Sequence, residues 1–97
     1  MILADRRRFS VEYTMFSILE YMNALRQPVS KYHITTKVPG ISSQRPDRIS
    51  QIVDMLEKNG YVEALQTANV TYYQISQKGR DAYNRWIKEF LDFMRSL

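Results

Sequence analysis

RPDRISQIVDMLEKNG, residues 45–60, is the stretch on which the fold turns. Pro46 suits the first position of a helix, where its missing N–H is no loss and its fixed φ is already helical. Ile49, Ile52, Val53 and Leu56 follow at the i, i+3, i+4, i+7 spacing that places apolar side chains on one stripe. Gly60 supplies a left-handed residue to end the helix, and Lys58 stands beside the negative end of its dipole. The opposite face carries Asp47, Gln51, Asp54 and Lys58, flanked by Arg45, Arg48 and Ser50. The spacing predicts a short helix with its back on a core and its front offering hydrogen-bonding groups.

Working toward the amino end, Pro39-Gly40 breaks the chain. Ile41 gives one apolar anchor before Ser42, Ser43 and Gln44 lead into the helix. A second, short helix is predicted from a Ser30 cap to about residue 38. Val29 and Ile34 are placed to form a hydrophobic staple, while Lys31, Thr35 and Lys37 are expected to face outward. His33, the only histidine, lacks the partners of a metal site and reads as a surface residue. The first helix is expected from Ser10 or Asp5 to about residue 26. Val11, Met15, Ile18, Met22 and Leu25 form its core stripe, Phe16 and Leu19 widen it, and Ser17 lies on the outer side. Pro28 ends it by excluding the α conformation from Gln27.

Toward the carboxyl end the period changes to two. Residues 61–65 and 70–75 are rich in β-branched and aromatic side chains, and Gln66 to Asn69 is turn material. This predicts a β-hairpin with Val62, Tyr73 and Ile75 inward and Tyr72 and Gln74 outward. Ser76 then caps a helix predicted over 77–97. Tyr83, Trp86, Ile87, Phe90, Phe93, Met94 and Leu97 fall in one half of its wheel. Such a helix is about 30 Å long, more than a domain of this size covers. A second copy of the same helix is the simplest cover; folding back over the first helix is the alternative.

The 97 residues make one domain, read as a basic arm over 1–9, a helix-turn-helix with hairpin over 10–76 and a terminal helix over 77–97. The fold class is mainly α with a small β-hairpin (α+β). No apolar run approaches a membrane span, and the amino end lacks the apolar stretch expected of a signal peptide. With no cysteine, disulfides and thiolate chemistry are excluded, which suits a reducing interior; a cytoplasmic, nucleoid-associated protein is expected. The net charge is +4, and residues 1–10 carry +2 through Arg6, Arg7 and Arg8 while residues 31–48 carry +3. Positive charge gathered around the start of the 45–60 helix points to a partner bearing phosphates. Helix, turn, helix with Arg and Gln near the second amino end matches the order that enters the major groove. No nucleophile–His–acid set or glycine-rich phosphate loop is present, so neither an enzyme nor a cofactor is expected.

The segment LEKNGYV (56–62) resembles the exit from a recognition helix into a wing, and YQISQKG (73–79) resembles the return into the next helix. Together they make residues 10–80 similar to the winged helix-turn-helix fold. The long final helix is similar to those of the PadR and MarR families and of small archaeal winged-helix regulators and chromatin proteins, where it pairs two subunits; with the chain's size and lack of cysteine, it looks most like the archaeal group. The resemblance implies that Arg45, Asp47, Arg48, Ser50 and Gln51 approach the major groove and that Lys31, Thr35 and Lys37 touch phosphates. It departs at the wing tip, where Gln66 to Thr71 holds no Arg or Lys. Asp47 suits the helix amino end or a cytosine amino group, and Asp54 is placed to pair with Lys58 four residues on. The leading expectation is therefore a homodimeric double-stranded-DNA-binding regulator without a membrane segment. The alternatives are a winged-helix protein-interaction module and a non-specific architectural chromatin protein.

Overall fold

The computed structural model describes residues 10–97; Arg6, Arg7 and Arg8 lie outside the described residues. Among the described residues, four helices and three short strands follow in the order α1 (Val11–Leu25), β1 (Val29–Ser30), α2 (Lys31–Lys37), α3 (Pro46–Lys58), β2 (Val62–Gln66), β3 (Thr71–Ile75) and α4 (Gln77–Arg95). This is an α+β winged helix.

Each helix start is set by a local hydrogen bond or by proline. The Ser10 hydroxyl accepts from the Tyr13 N–H at 3.1 Å, and that of Ser30 from the His33 N–H at 3.1 Å. At α3 the cap is Arg45, held extended by the proline after it and making no side-chain cap bond. Helix α1 ends before Pro28 through Arg26, which is left-handed (φ 61°) and donates its N–H to the Met22 carbonyl. The α1 stripe is wider than its apolar periodicity implies. Thr14 and Ser17 are buried beside Ile18, Leu19 and Met22, because α3 packs on one side of α1 and α4 on another. The outward expectation for Ser17 is therefore wrong.

The sheet has three strands, not two. Strand β1 pairs antiparallel with β3 (Val29 with Tyr73, Ser30 with Tyr72), giving the order β1-β3-β2. Two residues are too few to show a period in sequence. In the hairpin, Val62 lies opposite Ile75 and Ala64 opposite Tyr73; Val62, Tyr73 and Ile75 are buried and Tyr72 exposed, as their alternation predicts.

Ile49, Ile52, Val53 and Leu56 form the back of α3, all 3% exposed or less, against Ile18, Ile34, Val38 and Ile41. Burying four such side chains contributes about 1.5–3 kcal/mol apiece relative to solvent. The helix ends in a Schellman arrangement: Gly60, at φ 85°, donates to Glu57 and Tyr61 donates to Leu56.

This helix end is joined to the start of α4 by a compact set of bonds. The Ser76 hydroxyl donates to the Gly60 carbonyl at 2.6 Å and accepts from the Gly79 N–H at 3.0 Å. The Ser76 N–H reaches the Tyr61 carbonyl, and Lys78 donates to the Asn59 carbonyl at 2.8 Å with its ammonium 4.6 Å from the Tyr61 ring centre. Gly79 is needed because a β-carbon there would sit 2.1 Å from the Tyr61 carbonyl oxygen. Gly79→Ala is expected to destabilise the fold by at least about 1–3 kcal/mol, the range for over-packing, since the obstacle is backbone. Ser76→Ala should cost about 1 kcal/mol, as loss of a cap does. Urea denaturation at constant m-value checks both.

Candidate nucleic-acid interface

The amino-terminal turn of α3 presents Arg45, Asp47, Arg48 and Gln51 to solvent, with Ser50 half-buried at its edge. Ser43 and Gln44 complete a shallow hollow over this turn. Pro46 fixes the start of the helix, and the buried back fixes its roll, so these side chains must stand outward.

Charge on this front is largely answered by charge. Arg45 grips Asp47 with two parallel bonds, Nε to Oδ1 at 3.1 Å and Nη2 to Oδ2 at 2.7 Å. The hydrogen bond from Arg45 pulls the Asp47 carboxyl below its ordinary pKa, helped by the backbone N–H groups of Asp47 and Arg48. Asp47 thus occupies the helix amino end, where a negative charge is favoured. Arg45 is raised in turn, first by that same hydrogen bond. The pair is highly exposed, so solvent screens it and a phosphate can compete for it.

Asp54 does not pair with Lys58. Its Oδ1 accepts from Lys31 Nζ at 2.7 Å, which joins α2 to α3. Packing of the two helices brings Lys31 across, an encounter that a one-helix spacing rule cannot register. The Lys31 ammonium also lies 5.5 Å from the Tyr73 ring centre. Partial burial works to lower the Lys31 pKa, but the hydrogen bond to Asp54 and the attraction of Tyr73 and Asp54 outweigh it, and the net shift is upward.

Of the other outward expectations on α2, Lys37 is exposed but Thr35 is not. Thr35 is 7% exposed and its hydroxyl donates to the Tyr32 carbonyl. A seven-residue helix pressed against α3 and the sheet buries more than one stripe, and threonine can turn its hydroxyl back to its own helix. Tyr32, which no spacing singled out, is 75% exposed on this helix. His33 is half-buried rather than a surface residue: the Tyr21 hydroxyl bonds its Nε2, with the rings 5.6 Å apart.

Gln44 is the functional candidate that sequence reasoning missed. It is 7% exposed, donates from Nε2 to the Thr14 hydroxyl at 2.9 Å, and accepts at Oε1 from Arg48 Nε at 2.9 Å. The i, i+4 spacing of Gln44 and Arg48 was visible; the Thr14 partner, 30 residues earlier, was not. On the wing, Thr67 exchanges bonds with Val70, and the Thr71 hydroxyl donates to Gln66. The two threonine hydroxyls thus serve the turn itself.

Away from this front, α1 covers only the first half of α4. Phe16 of α1 meets Tyr83 at 5.4 Å and Trp86 edge-on at 5.1 Å between ring centres. Burial, then Glu20, raises the Tyr83 pKa. Ile87 is half-buried, whereas Phe90, Phe93, Met94 and Leu97 are 49–84% exposed. Among the described residues, no helix is long and apolar enough to cross a membrane.

No family model and no curated protein matches the chain. Its likeness is to solved structures. A transcriptional regulator from Clostridium thermocellum superposes with a TM-score of 0.65 at 20% identity, over 88% of this chain and 86% of that one. A protein from Archaeoglobus fulgidus gives 0.62 at 19% identity, over 86% and 88%. An organohalide-sensing transcriptional regulator, solved with 2,4-dichlorophenol bound, gives 0.67 at 18% identity, over 95% of this chain and 57% of its own. At these identities the similarity is one of fold.

A double-mutant cycle on Lys31→Ala and Asp54→Ala should return a coupling of about 0.2–1 kcal/mol, the range for a solvent-reached pair. Because the Lys31 pKa is raised on folding, that coupling should be full at neutral pH and fade as the pH rises through the folded lysine value. Denaturation of the four proteins across pH measures it.

Proposed function

We propose that this chain is a homodimeric, sequence-preferring double-stranded-DNA-binding protein that regulates transcription in association with the nucleoid. The observation that carries the reading is the exposed amino-terminal turn of α3, where Arg45, Asp47, Arg48 and Gln51 stand in solvent on a helix whose back is fully buried. A groove-reading helix needs that division. Arg48 suits guanine O6/N7 and Gln51 suits adenine N6/N7. Ser50 and Asp47 flank them, Asp47 suited to accept from a cytosine amino group. Lys37, Arg45, Lys31 and the arm at Arg6, Arg7 and Arg8 supply the sequence-blind, salt-dependent part. Thr35 contributes through the packing of α2 and not through its hydroxyl.

Two copies join through α4. Each large apolar side chain left in water forgoes about 1.5–3 kcal/mol, and Phe90, Phe93, Met94 and Leu97 extend the Tyr83–Trp86–Ile87 surface beyond the reach of α1. An identical helix offers the matching surface, and dimers of this kind place two recognition helices on one duplex.

One observation favours a protein-interaction module instead. Lys31 and Arg45 are both engaged by carboxylates of α3, and the wing exposes Leu65, Val70 and Tyr72 with no cation at its tip. A gel shift on random duplex across a salt series separates the readings: salt-dependent retardation supports DNA binding, and none at low salt supports the module.

Arg48→Ala is expected to reduce discrimination between a selected site and random duplex by about 1–3 kcal/mol. Lys37→Ala should weaken both alike and lower the salt slope by about 1. Fluorescence anisotropy on both duplexes tests these; equal losses for Arg48→Ala remove its base-reading role. Sedimentation equilibrium should find a dimer at micromolar concentration, with Phe90→Asp shifting it to a folded monomer. A folded wild-type monomer refutes the dimer.

A further inference from the structure

Gln44 sits just before the cap of α3 and, unlike the exposed residues around it, has its amide buried. Both ends of that amide are engaged, and the chemistry allows one orientation. Arg48 Nε–H can only donate, so the Gln44 oxygen must face it. The amino group is then turned to Thr14, whose hydroxyl, 0% exposed on α1, accepts from it. Reversing the amide would set two donors against each other in a buried site. No buried side-chain nitrogen or oxygen among the described residues lacks a partner.

We infer that Gln44 is a positioning residue for base reading: its amide, anchored at Thr14, holds the Arg48 guanidinium by Nε and so fixes the edge that Arg48 turns to the groove. The inference rests on the reading of Arg48 given under the proposed function. A free arginine explores many rotamers, and ordering it on binding opposes affinity. A guanidinium already gripped by a buried amide loses less of that freedom when it meets a guanine. The pitch of the guanidinium then follows α1 through Thr14. Discrimination then depends on a residue that itself touches no base, and on a helix outside the helix-turn-helix pair.

The test uses the full chain in two forms. In free 15N-labelled protein, the Arg48 Nε–H signal should be protected from solvent exchange, and Gln44→Met, similar in length but without an amide, should abolish the protection. An Arg48 Nε–H that exchanges in wild type like an exposed arginine overturns the proposal. On DNA, Gln44→Met should lower the ratio of selected-site to random affinity about tenfold, within the range for a bidentate base contact. Added to Arg48→Ala it should cause no further fall, since the two act as one unit. Gln44→Glu keeps an acceptor for Arg48, and the Thr14 hydroxyl can rotate to donate. It should weaken all duplexes alike while keeping the ratio. An unchanged ratio in a folded Gln44→Met, or losses that simply add, would refute positioning. Should Gln44→Met fail to fold, Thr14→Val cuts the tether at its far end and is read the same way. Protection in a wild type that prefers no duplex removes base reading by Arg48 but leaves the tether established, which separates the two failures.

Discussion

The contact between the end of α3 and the start of α4 sets the geometry of the whole chain. Ser76 bridges the Gly60 carbonyl and the Gly79 N–H with one hydroxyl, and Gly79 lies so close to the Tyr61 carbonyl that no side chain fits between them. The wing is a short excursion out of this junction and back: β2 leaves at Val62, β3 returns at Ile75, and the Ser76 N–H closes onto the Tyr61 carbonyl. The start of α4 is therefore held against the end of α3 by close backbone approach and by the Ser76 and Lys78 side chains, and its first half by Phe16 of α1. In the proposed dimer, the separation of the two α3 helices follows from that placement.

The front of α3 is organised by a different constraint. Its back is sealed in the core, so its polar groups turn to solvent, to one another and to residues of flanking segments. The outcome is graded. Arg45 and Asp47 form an exposed pair that an incoming phosphate can part, and Lys31 and Asp54 tie α2 to α3 across a partly buried seam. Arg48 alone on this front is held by a buried amide. Groups that meet any backbone can be loosely held, because Coulomb attraction has little directional demand. A group that distinguishes bases gains from a fixed orientation.

Much of the fold was legible because its signals are short-range. Pro46, Gly60 and the apolar spacing between them specify α3 within one stretch, and the hydroxyls of Ser10, Ser30 and Ser76 mark three other helix starts. The alternation of the hairpin assigned Val62, Tyr73 and Ile75 to the core. The misreadings lie where a partner is distant in sequence. Ser17 is buried because α1 has two packing faces and its own periodicity shows one, and Thr35 because a seven-residue helix between α3 and the sheet has little surface left for solvent. Strand β1 went unseen because its two residues become a strand only beside β3.

Helix starts and stops, the apolar faces of α3 and α4 and the gathering of positive charge can all be read along the chain, since each depends on residues within a few turns of one another. Which charges answer which follows from packing alone. It gave Asp54 to Lys31 instead of Lys58, His33 to Tyr21, and Arg48 to a glutamine anchored on α1. The physical reason is that hydrogen bonds and ion pairs are settled by distances of about 3 Å, and such distances between residues far apart in sequence come into being only when the helices pack.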